Sequence, residues 1–249
     1  DRVTATTAMK DEQIDLMRSV DPYDFKGLSQ DKAFNSKYFM FNVDYLSYTY
    51  IGLNMRHPIL QDKNVRKALA HCINVEQIID IVMYGYARPI ASFVHPSKEH
   101  YNNDLAPYDF NLEKAKALLT EAGWSDTDKD GVLDKTINGK KTPLTLTIKF
   151  NAGNDKREKV CLFLKENAKK VGIDIEIMVK EWSVYLDECT NHDFDMYVLG
   201  WVQEAILDDP KQLFHTDAYN GGSNYPGIGN AYSDVLIDNL RKEMDDEKR

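Results

Sequence analysis

One short stretch has the residue types and spacing to hold a cation. Asp126-Thr-Asp128-Lys-Asp130-Gly131 repeats the first half of an EF-hand calcium loop, with carboxylates at positions 1, 3 and 5 and glycine at 6. Asp134 fits position 9, but position 12 is Ile137, where a bidentate Glu is needed. The alternative is a plain Asp/Gly turn that reverses the chain ahead of a strand at Leu144. Cys189 and His192 are separated by two residues, with no second pair at zinc spacing. His71 and Cys72 are adjacent on a helical pattern, so their side chains diverge by about 100° and cannot act as nucleophile and base. Phosphate-cradling GxxxxGK[ST], dinucleotide GxGxxG, HExxH and GxSxG patterns are all missing. The residues therefore call for no cofactor and point away from an enzyme. A metal-dependent hydrolase built on the Asp-rich loop is the alternative.

Composition narrows the partners. Forty acidic against 31 basic side chains leave a net charge of −9, and the basic run at 165–170 is interrupted by Glu166. Nucleic acid, which needs clustered Lys and Arg, is not the expected ligand. No run of eighteen apolar residues suggests a membrane span. Cys72, Cys161 and Cys189 form an odd, sparse set, read as buried thiols rather than a disulfide framework. Asp1-Arg2-Val3-Thr4 reads as a cut into a longer protein or a mature N-terminus.

The periodicities that must position any site follow in order. Residues 1–37 read as a polar, peripheral segment with one short helix along Ile14, Leu16, Met17 and Val20. Aromatic and β-branched residues from Lys37 to Asn54 predict one or two strands. Asp62 caps a helix through Val65, Ala68, Leu69 and Cys72, with a second helix from about Val75 and a stop at Gly85. Residues 86–110 predict a long ordered loop; a helix from Asn111 to Gly123 and a turn region, Asp126–Lys141, follow. Leu144–Phe150 and Ile173–Val179 alternate as strands around a helix that Gly172 stops, which implies a parallel pair. A short helix at Trp182–Cys189, a strand at Phe194–Gly200, a long loop at 203–232 and a helix over 233–247 complete the chain. The fold class is α/β with a mixed sheet, read as one domain.

An ordered set of short motifs resembles the family 5 extracellular solute-binding proteins, the oligopeptide, dipeptide and nickel binders of ABC importers. Tyr50-Ile-Gly-Leu-Asn54 leads into Asp62-Lys-Asn-Val65-Arg66-Lys67-Ala68-Leu69, similar to the family's "D-x-x-V-R-x-A-L". Gly85-Tyr-Ala87-Arg-Pro89 resembles its "G-x-A-x-P" loop. Tyr108-Asp109, Lys114–Leu119 and Glu121-Ala122-Gly123-Trp124 resemble "Y-D-P-E-K-A-K-A-L-L-x-E-A-G-W". Lys169–Ile173, Glu181-Trp182, Gly200-Trp201, Asp209-Pro210 and Gly221–Tyr225 keep the family order. Asn74-Val75 in place of Asp-Arg is a departure.

The resemblance implies a lobe of a type II periplasmic-binding-protein-like fold, with residues 1–249 forming a single ligand-binding lobe of a longer two-lobe protein. It implies capture of a peptide between two lobes and delivery to an ABC permease, by a monomer that is periplasmic or extracytoplasmic and anchored as a lipoprotein. In such proteins an acid three residues after the Gly-Trp holds the peptide ammonium. That position is Glu204 here, and the longer gap to Asp209-Pro210 makes Asp208 its rival. Trp201 would form an apolar wall, with core packing as its alternative. Asn224 and Tyr225 would be polar lip residues, Asn224 alternatively shaping a turn. A basic residue that some relatives carry three before the Trp is Val198 here. The same fold also takes nickel chelates, haem or oligosaccharides, which remain the alternatives for the ligand.

Overall fold

The computed structural model describes residues 2–203 and 209–245. Helices α1 (Arg2–Lys10), α2 (Pro22–Gln30) and α3 (Lys32–Asn35) precede strand β1 (Ser47–Leu53). Then come α4 (Lys63–His71), α5 (Val75–Val82), α6 (Leu112–Glu121) and the hairpin β2 (Asp134–Ile137) and β3 (Lys140–Pro143). The chain continues through β4 (Thr145–Asn151), α7 (Asp155–Lys169), β5 (Asp174–Lys180), α8 (Trp182–Thr190) and β6 (Met196–Val202). It ends with α9 (Lys211–Phe214), a 3₁₀ turn at Thr216–Tyr219, and α10 (Ala231–Lys242).

Two compact units result. The smaller comprises Asp1–Tyr45 and Val75–Pro89. Met9, Leu28 and Phe34 form its core, with Ile14, Met17 and Val20 packed against it. These last three are not helical, contrary to the expectation from their spacing. Asp21 caps α2 and Pro22 opens it, which forces the preceding backbone to stay extended. Of the aromatic run, only Ser47–Leu53 is a strand; Phe39, Phe41, Val43 and Tyr45 alternate but are exposed and have no partner strand among the described residues. Alternation supplies a face, and a strand also needs a ladder.

The larger unit, Leu46–Asn74 and Ile90–Arg249, carries the four-stranded sheet in the order β1-β6-β4-β5. β4 runs parallel to β5 and β6, and β1 runs antiparallel to β6, so the expected mixed sheet is present. Leu144, Leu146, Ile148 and Phe150 turn into a core shared with α4, α6 and α7. Asn111 caps α6 by accepting from the Lys114 amide, and Asp62 caps α4 through the Asn64 amide. The 126–141 segment holds more than a turn. Asn138 and Gly139, with φ of 52° and 78°, form the two-residue reversal of the β2–β3 hairpin. The 203–232 segment likewise contains α9 and the 3₁₀ turn, and α10 starts two residues before the expected position because Asn230 and Ser233 form a capping box.

A second, smaller core lies on the other face of the sheet: Tyr185, Cys189, Phe194, Tyr197 and Leu199. It fits because two glycines admit it. A Cβ on Gly52 would collide with the Tyr197 ring, and one on Gly200 would lie 2.8 Å from the Tyr48 carbonyl oxygen. All three cysteines are buried and free, and burial pushes each thiol up to about 12. A partly buried charge network braces β4. Lys149 Nζ lies 2.9 Å from Glu188, and Lys180 Nζ lies 2.8 Å from the same carboxylate. Burial opposes the charge on Glu188, but the two ammonium groups outweigh it and hold the carboxyl below the usual range.

Gly52→Ala should destabilise the fold by about 1–3 kcal/mol through overpacking, read as a lower urea midpoint with an unchanged m-value. The Glu188 contribution has a defined pH sign. Its native pKa is depressed, so the stabilisation is present above the unfolded value of about 4.3 and is lost as pH falls through the native value. The stability gap between the wild type and Glu188→Gln should therefore be widest near neutral pH and shrink as pH falls below about 4, measured by denaturant titration.

Candidate functional site

β6 ends where the site residues begin. Its last three residues are Gly200, Trp201 and Val202, and Gln203 follows with its amide donating to the Leu46 carbonyl. Trp201 is half-buried and packs against the smaller core. Its indole Nε1–H donates to Tyr50 Oη at 3.0 Å, and Tyr50 Oη lies 3.0 Å from Tyr197 Oη. The antiparallel register sets Tyr48 opposite Trp201 and Tyr50 opposite Leu199, so Tyr50 reaches the indole diagonally. Burial pushes the Tyr50 hydroxyl up to about 12, so it stays a neutral hydrogen-bonding group.

The late loop closes over this wall. Tyr225 stacks on Trp201 with ring centroids 6.4 Å apart and planes at 30°. Its carbonyl accepts from His192 Nδ1 at 3.0 Å. His192 stacks on Tyr219 at 3.7 Å, and the Arg56 guanidinium lies 3.4 Å from the Tyr219 ring centre. Asn224 is fully buried. Its amide donates to the carbonyls of His215 and Ile228, and its oxygen accepts from the Ile228 amide. Its side chain is spent on shaping the loop that presents Tyr225, the turn-forming alternative for this residue. Glu204 and Asp208 lie outside the described residues.

The Asp-rich loop brings three of its four acids together. Asp126, Asp128 and Asp130 are exposed, with ligand oxygens within 4.8 Å of one another. Asp126 accepts from the amides of Lys129, Asp130 and Gly131, as a turn-forming aspartate does. Asp128 is paired with Lys141 at 2.6 Å. Asp134 is buried instead and accepts from Thr127, whose hydrogen bonds hold its carboxyl below the ordinary range. Ile137, at position 12, lies on β2. Asp126 thus forms an Asx-stabilised reversal, Asp128 is tied to a lysine, and position 12 supplies no carboxylate.

Sequence reasoning did not single out Tyr197, Tyr219 or Arg56; it named Tyr50 only as the start of a family motif and weighed His192 only with Cys189. Only the strand register and loop packing bring these residues to Trp201.

The larger unit is thus a mixed sheet with an aromatic wall at the end of β6. The chain belongs to the bacterial extracellular solute-binding proteins, family 5, which residues 1–225 match. It is 36% identical over 208 residues to the oligopeptide-binding protein AppA of Bacillus subtilis, covering 82% of this chain and 37% of that one. It is 28% identical over 246 residues to the dipeptide-binding protein of Escherichia coli, covering 97% and 42%. The structure of B. subtilis AppA in complex with a nonapeptide superposes with a TM-score of 0.83 at 31% identity, covering all of this chain and 48% of that one. NikA from Brucella suis, in complex with Fe(III)-EDTA, shares the fold with a TM-score of 0.82 at 23% identity, covering 98% and 49%. The chain thus spans less than half the length of these relatives. Among the described residues no helix is long and apolar enough to cross a membrane.

Tyr50→Phe removes the acceptor of the Trp201 indole and the partner of Tyr197 together. It should cost about 1–3 kcal/mol. It should also shift the tryptophan emission spectrum, and the shift should vanish when the same change is made in a Trp201→Phe background.

Proposed function

We propose that residues 1–249 form one ligand-binding lobe of a longer, extracytoplasmic solute-binding protein that captures peptides for an ABC importer, with residues 1–37 as a peripheral segment. The observation that carries this reading is the Trp201–Tyr225 aromatic wall, which ends immediately before the acidic 204–208 segment. The chain's similarity to oligopeptide- and dipeptide-binding proteins supports the peptide as ligand. A protein that accepts many peptides must hold what they share: main-chain amides and carbonyls, and the N-terminal ammonium. Glu204, or Asp208 as its rival, supplies the charge-assisted partner of the ammonium, which fixes register. Trp201 and Tyr225 supply an apolar surface that tolerates varied side chains. Asn224 acts indirectly, by holding the loop that carries Tyr225. Closure of the second lobe buries the ligand and presents the complex to the permease. The protein acts as a monomer, without enzymatic activity and without a cofactor, and is tethered to the membrane as a lipoprotein.

In the full-length protein, Glu204→Ala should weaken peptide binding by about 2–5 kcal/mol, the cost of leaving the ammonium unpaired. Titration calorimetry with a peptide identified by mass spectrometry of copurifying ligands checks this. Unchanged affinity transfers the role to Asp208, and unchanged affinity in both variants removes the ammonium anchor from this segment. Residues 1–249 alone should bind the same peptide far more weakly, since half the contacts are gone.

A further inference from the structure

The loops after β4 and β5 leave toward opposite faces of the sheet. Residues 152–154 lead from β4 into α7, which packs on the main core. Glu181 leads from β5 into α8, which packs on the smaller core. β4 and β5 are parallel neighbours, with Asn151 opposite Lys180 at their carboxyl ends. Loops that part in this way open a crevice beyond the strand ends, and α/β sheets bind ligands there.

Arg157, in the first turn of α7, reaches back to this point. Its backbone amide donates to Asn154 Oδ1 at 3.1 Å, and its Nη1 donates to Asn151 Oδ1 at 2.6 Å. The guanidinium carbon lies 5.9 Å from the centre of the Trp182 ring, at the start of α8. The side chain is thus held at both ends, yet its charge is unanswered. Arg157 is half-buried and has no acidic partner within ion-pair distance among the described residues. Glu188, the carboxylate on this face, is shared by Lys149 and Lys180, and Glu181 is exposed and unpaired with the arginine. A guanidinium carries five N–H donors, and one of them accounts for Asn151. An incoming carboxylate would find there a fixed, charge-assisted fork.

The register sets this fork against the aromatic wall. Lys149 lies opposite Tyr197, so Asn151 shares a face with Trp201, which is two residues beyond the Leu199 level. With about 3.3 Å per residue and about 4.8 Å between strands, the Asn151 and Trp201 backbones are about 8 Å apart. We infer that Arg157 is a specificity-determining residue. It gives this lobe a preference for peptides with an acidic side chain about two or three residues from the one on the Trp201–Tyr225 wall. The inference rests on the proposed peptide function. A side chain is favoured over the terminal carboxylate for a geometric reason. The terminus of a peptide reaches a fixed point only at one peptide length, whereas an acidic side chain reaches it at many.

Titration calorimetry on the full-length protein tests this with short synthetic alanine peptides, amidated at the C-terminus. Each carries a single Glu, moved along the chain, and each has a matched Gln peptide. At one position or two neighbouring ones, Glu should bind about tenfold tighter than Gln, the effect of a hydrogen bond to a charged group. The preference should shrink as salt is added. It should vanish in Arg157→Gln. It should vanish as well in Asn151→Asp, which leaves the arginine in place and gives it an internal carboxylate. That second variant adds a partner rather than removing one, so it decides the matter if Arg157→Gln fails to fold. Equal binding of Glu and Gln peptides at every position overturns the inference, as does a preference that survives in the folded variants. A preference for a free C-terminus that is lost in Arg157→Gln also overturns it, and assigns the arginine to the terminal carboxylate. Binding of the peptides without a Glu preference removes this inference alone. Failure of every peptide to bind removes the peptide function and this inference with it.

Discussion

The antiparallel pairing of β1 with β6 is the contact on which the rest of the larger unit depends. It joins a strand from early in the chain to one about 150 residues later, and it does so at close quarters. Gly52 leaves room for the Tyr197 ring, and Gly200 allows β6 to lie tight against the Tyr48 carbonyl. Any side chain at either position would wedge the two strands apart. The same register carries Tyr50 to the indole of Trp201, so the close approach and the aromatic wall are one arrangement.

From that pairing the two faces of the sheet divide their work. One face buries the aliphatic residues of β4, β5 and β6 against α4, α6 and α7, and it carries the hydrophobic stabilisation of the fold. The other buries aromatic residues and ends at the surface with Trp201 and Tyr225. Polar groups on this side are nearly all committed: Tyr185 donates to the Val198 carbonyl, Asn54 donates to Phe194, and Asn224 is spent on its own loop. A wall whose polar groups are already satisfied presents apolar surface and shape.

Much of this was legible from residue order. The β4–α7–β5 unit follows from alternation, helical spacing and the stop at Gly172, because local periodicity reports burial directly. The caps at Asp62 and Asn111 were equally plain. The Asn138-Gly139 reversal passed unread inside a stretch dominated by aspartates, although its two-residue turn chemistry was present. The aromatic alternation at 39–45 misled in the opposite direction, since a pattern that suits a strand does not supply a neighbour to pair with.

The sequence by itself determined the fold class and the family, because each rests on short runs of residues read in order. Only the tertiary structure decided what surrounds Trp201. Tyr50, Tyr225 and the His192–Tyr219–Arg56 stack come from three separate parts of the chain, and no local pattern relates them. It also decided that Asp134 turns inward while Asp126, Asp128 and Asp130 stay at the surface. Spacing along a chain constrains which side chains can share a face. Which faces then meet is settled by long-range packing, whose energy is gained only when the distant segments have come together.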